Sequence, residues 1–209
     1  MIVLGLTGSI AMGKSSASTM LRRMGFPLHD ADRTVHKLIG PGGKALDAIE
    51  ALFPGVTGAN GVDRSALGAK VFGDPGALAQ LESIIHPLAR AEALSFLRRM
   101  KRRRLKQELI AVLDIPLLFE TKAERLCHAV MVVSAPAFLQ EARALQRPGM
   151  TKEKFSAIRD RQMADREKRR RADFVVQTGL SKGHTLRQLK QIVRLLRENE
   201  IQDDGARRP

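Results

Sequence analysis

A glycine-rich turn directly after an apolar run constrains this sequence more than any other feature. Ile2–Thr7 is the apolar run, typical of a buried strand, and residues 8–15 read GSIAMGKS. This segment fits the phosphate-loop pattern G-x-x-x-x-G-K-[ST] at every fixed position. Glycines let the backbone turn around an anion, so that N–H groups and the start of the next helix point at phosphates. With a helix expected over residues 14–24, the order of elements predicts a nucleoside triphosphate site.

Each residue type in the loop has a predicted role. Lys14 reaches the β- and γ-phosphates, and the hydroxyl of Ser15 ligates Mg²⁺. The alternative is a glycine-rich turn in an ordinary strand-to-helix connection. We expect ATP to be bound by Gly8, Ala11, Met12, Gly13, Lys14, Ser15 and Ser16.

Length and cysteine content narrow the class of protein. A chain of 209 residues is long enough for one domain with a full core, and too short for two large ones. No apolar run approaches the ~20 residues of a membrane span, and the first residues lack the basic region of a signal peptide. Cys127 is the single cysteine, which excludes an intramolecular disulfide and favours the reducing cytoplasm. We expect no membrane association.

The net charge of +14 predicts anionic partners. Nucleic acid is one candidate, but Trp and Tyr are absent, so bases would find few aromatic stacking platforms. An enzyme that handles two polyphosphate ligands needs positive charge too. The charge alone does not choose between the two, and oligomeric state is expected to be a monomer or a weak oligomer.

Strands alternate with helices along the chain, which predicts an α/β fold with a parallel sheet and ligands at the carboxyl ends of the strands. Residues 44–104 read as a mostly helical insert, with turns at 54–61 and 73–76 and a break at His86-Pro87. The polar tail over 202–209 is expected to fray. Further strands are predicted over 26–29, 109–113, 129–133 and 174–176, and further helices over 32–39, 89–106, 136–146, 151–171 and 186–198.

Three acidic residues lie where predicted strands end. Asp30 and Asp32 flank one alanine, and either carboxylate can accept a proton from an acceptor hydroxyl or cap the following helix. Asp114 ends an apolar run in the manner of a Walker B strand and is a candidate to hold Mg²⁺ through water.

Basic residues outside the phosphate loop supply further candidates. Arg143 and Arg147 are four apart, hence on one helix face, and can close over ATP, although a solvated basic face has the same pattern. His86 either caps a helix or, with Arg90 one turn later, contacts a second anionic substrate. The run Arg98–Arg104 is interpreted as solvated surface.

Taken together, these segments resemble the dephospho-CoA kinase family nearly end to end. The phosphate loop alone does not single out this family, whereas the D-x-P-L-L-F-E segment together with D-A-D and H-P is specific. The matching residues are 6–8, 13–15, 30–32, 85–87, Arg90, 114–120, Gln140, Arg143, Arg147, Gln162, 168–169 and 172–173.

The resemblance implies transfer of the ATP γ-phosphoryl group to the ribose 3′-hydroxyl of dephospho-CoA, the last step of coenzyme A synthesis. It implies Asp32 rather than Asp30 as the catalytic acid/base, and Arg143 and Arg147 as lid arginines. It also implies three parts: a parallel-sheet core flanked by helices (about 1–40, 107–136 and 172–201), a helical CoA-side domain (about 42–106) and a helical lid (about 137–170).

The chain departs from the family pattern in two places. The family loop usually reads G-G-I-G-S-G-K-S, whereas Ser9, Ala11 and Met12 stand here, and Ala11 then needs a backbone conformation that a Cβ permits. After Ala172-Asp173 the family usually has Asn-x-Gly near the adenine, where this chain has residues 177–179, QTG.

Two rival functions remain open at this stage. Another small-molecule phosphate-loop kinase would share the loop but act on a different acceptor. A nucleic-acid-binding protein would use the basic clusters at 98–104 and 166–171 and would bind oligonucleotides with steep salt dependence.

Overall fold

A computed structural model describes residues 1–102 and 110–198 of the chain. Within these ranges the strands are β1 Ile2–Thr7, β2 Leu28–Asp30, β3 Thr57–Gly58, β4 Gly61–Val62, β5 Ile110–Asp114, β6 Ala129–Ser134 and β7 Phe174–Gln177. The helices are α1 Lys14–Arg23, α2 Ala31–Leu38, α3 Leu46–Leu52, α4 Arg64–Val71, α5 Pro75–Arg102, α6 Ala137–Leu145, α7 Lys152–Asp160, α8 Asp165–Arg171 and α9 Lys182–Glu198, with a 3-10 helix at Ala123–Leu126.

The five longer strands form one sheet in the order β2-β5-β1-β6-β7. β1 lies at its centre and pairs in parallel with β5 on one side and β6 on the other, so that Leu4 lies opposite Val112 and Ala129. Strands buried on both faces need continuous apolar runs, and β5 and β6 are buried along their whole length. The predicted parallel sheet flanked by helices is confirmed.

The main hydrophobic core lies between this sheet and two helices. Leu4 and Met131 of the sheet belong to one cluster with Leu21 of α1 and Leu189 and Leu196 of α9, all of them fully or almost fully buried. Burial of such side chains contributes about 1.5–3 kcal/mol each. The predicted closing amphipathic helix is confirmed, although it begins four residues earlier, at Lys182.

The chain divides into two compact units, of which the first comprises Met1–His29 and Met100–Pro209 and contains the sheet. The second, Asp30–Arg99, is mainly helical and has a hydrophobic core of its own, which includes Ile49 and Phe53. Within it, β3 and β4 form a short antiparallel hairpin where the sequence predicted a turn cluster. No helix in the described part of the chain is long and apolar enough to cross a membrane.

The predicted helix over 151–171 is wrong as a single element. The structure has α7 and α8, separated at residues 161–164. Gln162 and Met163 form tertiary hydrogen bonds there: the Gln162 side chain accepts from the Ile10 N–H, and the Met163 N–H donates to Glu120. The Met163 N–H thus bonds to a side chain and not to a carbonyl of the preceding turn, as it would in a continuous helix.

The predicted helix break at His86-Pro87 is also wrong, because α5 continues through Pro87. Proline removes one helical hydrogen bond and crowds the preceding turn. Flanking apolar residues, among them Leu81, Ile85 and Leu88, pack into the core of the second unit on both sides of Pro87. This packing keeps the helix continuous. The predicted helix end at 103–106 and strand residue 109 lie outside the described residues, as does the tail from 199.

Replacing Pro87 by alanine is expected to stabilise the protein. Pro87 is exposed, so its ring makes little packing, and alanine would restore the missing N–H donor. Proline inside a helix costs up to about 3 kcal/mol relative to alanine, so the melting temperature should rise in a thermal unfolding experiment. A lower melting temperature for Pro87→Ala would show that the ring is required by the tertiary structure.

Candidate active site

The phosphate loop occupies residues 8–13, between β1 and α1 in the first unit. Gly13 caps α1 with a φ of 90°, a left-handed conformation that glycine adopts without strain. A Cβ on Gly13 would lie 2.9 Å from the Thr178 hydroxyl, and one on Gly8 would lie 2.8 Å from the Val133 carbonyl oxygen. Both fixed glycines are therefore required by close neighbours. The N-terminus of α1 that follows favours a bound anion.

Ala11 and Met12 depart from the family pattern and have structural roles. Ala11 lies in the left-handed region with a φ of 61°, which costs an L-residue about 1–2 kcal/mol. Its buried methyl group belongs to a small cluster with Ala144 of α6 and Phe155 of α7. The Met12 sulfur accepts a hydrogen bond from the Ala135 N–H at 3.1 Å. Ala11 thus adopts a conformation that a Cβ permits only at a cost.

Lys14 and Asp114 form an ion pair beside the loop. The Lys14 Nζ lies 2.7 Å from the Asp114 Oδ1. The parallel register of β1 and β5 sets Leu6 opposite Asp114, and this places the carboxylate beside the first residue of α1. Asp114 is buried, so the ammonium supplies charge compensation that the carboxylate needs. The structure brings together two motifs that are 100 residues apart in sequence.

The donor set near the loop fits Mg²⁺. Asp114 offers carboxylate oxygens, and Ser15 and Ser16 offer exposed hydroxyls on the first turn of α1. Mg²⁺ prefers oxygen donors and is usually held by one or two protein ligands, with phosphate oxygens and water completing its shell. Among the described residues there is no cluster of three or more His, Cys, Asp or Glu that could hold a metal.

Hydrogen bonds through Thr178 link Arg143 to the phosphate loop. Its Nη2 donates to the Thr178 carbonyl oxygen at 2.8 Å, and the Thr178 hydroxyl donates to the Met12 carbonyl oxygen at 2.6 Å. Thr178 has no role in the sequence prediction, and the only sequence signal was the departure from the family pattern at 177–179. Arg147 lies beyond the end of α6 at Leu145. The prediction that Arg143 and Arg147 share one helix face is therefore wrong. Arg147 is exposed, in the turn before Pro148.

Lys168, which belongs to the basic cluster at 166–171, is fully buried. Its Nζ lies 2.9 Å from the Glu120 Oε1 and donates to the Pro116 carbonyl oxygen at 3.1 Å. The Thr7 hydroxyl donates to the same carbonyl at 2.9 Å. Lys168 therefore ties α8 to the segment after β5, and Thr7 joins the end of β1 to that segment.

Arg170 and Arg171 of the same cluster, 166–171, are also paired. The Glu167 carboxylate accepts from Arg170 and Arg171, both on α8. These hydrogen bonds lower the pKa of Glu167 to about 2, and the one from Arg170 has the larger effect. Pairing within the helix leaves less charge for the phosphates of a nucleic acid. In the other basic run, residues 103 and 104 lie outside the described ranges.

The remaining candidates lie in the second unit. Asp30 caps α2, because its Oδ1 accepts from the Arg33 N–H at 3.0 Å. Asp32 is exposed in the first turn of that helix. His86 and Arg90 are exposed and one turn apart on α5, so they share a helix face. One of the two aspartates therefore has the capping role that the sequence left open.

A family profile described as dephospho-CoA kinase matches residues 2–182. The dephospho-CoA kinase of Paramagnetospirillum magneticum is 58% identical over 197 residues, which cover 94% of this chain and 92% of that protein. The dephospho-CoA kinase of Novosphingobium aromaticivorans is 53% identical over 197 residues, with 94% and 95% covered.

Solved structures give the same result at the level of fold. The dephospho-CoA kinase from Campylobacter jejuni superimposes with a TM-score of 0.69 at 26% identity, covering 94% of this chain and 97% of that one. A shikimate kinase from Acinetobacter baumannii has a TM-score of 0.52 at 13% identity, covering 96% and 95%, which indicates a shared fold alone.

Replacing Lys168 by methionine is expected to destabilise the protein by about 3 kcal/mol, because the Glu120 carboxylate would lose its buried partner. Urea denaturation measures this change. The double variant Lys168→Met/Glu120→Gln should lose less than the single variant, since the amide that replaces the carboxylate needs no counter-charge. A single variant as stable as the parent would contradict the role of this ion pair.

Proposed function

We propose roles for the active-site residues of this chain, which belongs to the dephospho-CoA kinase family and transfers a phosphoryl group from ATP to the ribose 3′-hydroxyl of dephospho-CoA, completing coenzyme A biosynthesis. The observation that carries the proposal is the Lys14–Asp114 pair at a phosphate loop held by close contacts. Phosphoryl transfer requires alignment and charge neutralisation more than covalent chemistry from the protein.

The phosphate loop binds the ATP triphosphate. Backbone N–H groups at Gly13–Ser15 and the positive end of α1 face the phosphate oxygens. Lys14 exchanges its contact with Asp114 for the β- and γ-phosphates, where its charge offsets the charge that develops during transfer. Ser15 and Asp114 are the residues that would hold Mg²⁺, which when bound neutralises phosphate charge.

Asp32 acts as the base that accepts the proton of the 3′-hydroxyl. Asp30 already has a structural task as the cap of α2, whereas the Asp32 side chain is exposed in the first turn. His86 and Arg90, on one face of α5, contact the anionic groups of dephospho-CoA. Residues 42–106 then form the CoA-side domain.

Residues 137–170 form a lid that closes over ATP. Arg143 is held beside Gly13 through Thr178, and Arg147 lies exposed one turn later in the chain. Their guanidinium groups bind phosphate oxygens when the lid closes, and closure excludes water from the reacting groups. Cys127 is the single cysteine of the sequence, and this suits a reaction in the reducing cytoplasm.

A coupled assay for ADP tests the proposal directly. Dephospho-CoA should support ADP release, while AMP and shikimate, offered as alternative acceptors, should not. Turnover that depends on shikimate or AMP instead would overturn the acceptor assignment.

Lys14→Ala should lower kcat by about 10³-fold, because a positioned charge on the transferring phosphoryl group is lost. The ADP assay measures this. Because Asp114 loses its partner, thermal unfolding is followed in parallel, and rates are compared at a temperature where the variant is folded. Arg23→Ala, exposed on the same helix, is the control that should keep its activity. A folded Lys14 variant with normal turnover would refute the role of the loop.

Asp32→Asn separates the chemistry from substrate binding. The change removes the proton acceptor and is nearly isosteric, so kcat should fall by ~10²–10⁴-fold with little change in KM for dephospho-CoA. Asp30→Asn is the matched control, because asparagine still caps α2. An inactive Asp30 variant beside an active Asp32 variant would reverse the assignment of the two carboxylates.

Arg143→Ala and Arg147→Ala should lower kcat by about 10²-fold each, the order of one lost donor to a charged transition state. ATP binding, measured by calorimetry without the second substrate, should weaken less than kcat falls. Unchanged turnover in both variants would contradict this role and indicate that the two arginines belong to a solvated basic face.

A further inference from the structure

Two glutamines hold Ile10 of the phosphate loop, one at its N–H and the other at its C=O. The Gln162 Oε1 accepts a hydrogen bond from the Ile10 N–H at 2.8 Å. The Gln140 Nε2 donates a hydrogen bond to the Ile10 carbonyl oxygen at 2.9 Å. Gln140 is buried on α6, and Gln162 lies between α7 and α8. Both donor and acceptor groups of Ile10 are therefore satisfied by side chains that are 130 and 152 residues away in sequence.

The residue that follows Ile10 is the strained one. Ala11 has a φ of 61°, in a region that an L-residue leaves unless its surroundings hold it there. The Ile10 C=O belongs to the Ile10–Ala11 peptide group, so its hydrogen bond from Gln140 restricts the rotation by which Ala11 would relax. The Ile10 N–H belongs to the Ser9–Ile10 peptide group, which the hydrogen bond to Gln162 holds in the same way.

We infer that Gln140 and Gln162 are positioning residues that keep the phosphate loop in its ATP-binding turn. The inference rests on the proposed function of the loop. Gln140 and Arg143 lie three apart on α6 and so share a helix face, with Gln140 bonded to Ile10 and Arg143 to Thr178. One helix of the proposed lid therefore contacts the loop directly at Ile10 and, through Thr178, at Met12.

The first experiment measures ATP binding and kinetics for Gln140→Leu and Gln162→Leu. Leucine is similar in size and lacks the amide, so each variant loses one hydrogen bond to Ile10. We expect KM for ATP to rise about tenfold, the factor that corresponds to ~1.4 kcal/mol, with KM for dephospho-CoA unchanged. Calorimetry with ATP alone should show the same weakening. Gln162 is half-buried, so its variant remains informative if Gln140→Leu folds poorly.

Ile49→Val is the matched control for a general loss of stability. Ile49 lies in α3 within the core that residues of the second unit form, and its change to valine lowers stability. It should lower the melting temperature and leave KM for ATP unchanged. Glutamine variants that likewise lose only melting temperature would overturn the inference.

A second experiment tests whether the glutamines act through the strain at Ala11. Glycine adopts a positive φ without strain, so the loss on Gln140→Leu should be smaller in an Ala11→Gly background than in the parent. The methyl group of Ala11 is absent from both members of the glycine pair, so its packing cancels in the comparison. An equal or larger loss in the glycine background would overturn the inference.

The two proposals fail in different ways. Normal ATP binding by the glutamine variants, together with an inactive Lys14→Ala variant, would refute the positioning role and leave the proposed function intact. An active, folded Lys14→Ala variant would refute the proposed function itself.

Discussion

The parallel pairing of β1 with β5 is the constraint on which the site depends. It sets Leu6 opposite Asp114, so the loop leaves β1 beside a buried carboxylate. A buried carboxylate requires a compensating charge, and Lys14 supplies it at 2.7 Å. In the proposed mechanism the same ammonium passes to the phosphates of ATP. The ion pair with Asp114 thus holds the Lys14 ammonium beside the loop, where the proposed mechanism needs it.

A network of buried polar contacts joins the end of β1 to the segment that follows β5. Thr7 and Lys168 donate to one carbonyl, that of Pro116, and Glu120 balances the lysine charge. The contacts join residues that the sequence separates by 109 and 52 positions. Polar groups in such surroundings are costly to leave unpaired, so each partner restricts the others. The network therefore holds the end of β1, from which the loop begins.

The places where the sequence misled share a cause. Pro87 indicated a helix end, yet the apolar residues around it pack on a core and keep α5 continuous. The basic pattern over 151–171 indicated one helix, yet Gln162 and Met163 turn to bond Ile10 and Glu120. Local propensity is a weak guide where tertiary contacts supply more free energy than one turn of helix. Neither competing contact is visible from neighbouring residues.

Local pattern and residue chemistry were enough to predict the strand-loop-helix unit and the burial of β5 and β6. They also singled out Lys14 and Asp114 as candidate site residues. Motif residues also sufficed to indicate the family. Tertiary structure alone decided that Asp30 caps α2, that Lys168 is buried, and that Thr178, Gln140 and Gln162 surround the loop. The physical reason is that hydrogen bonds between distant side chains and backbone leave no periodic signal, since they depend on where the sheet and helices bring the chain together.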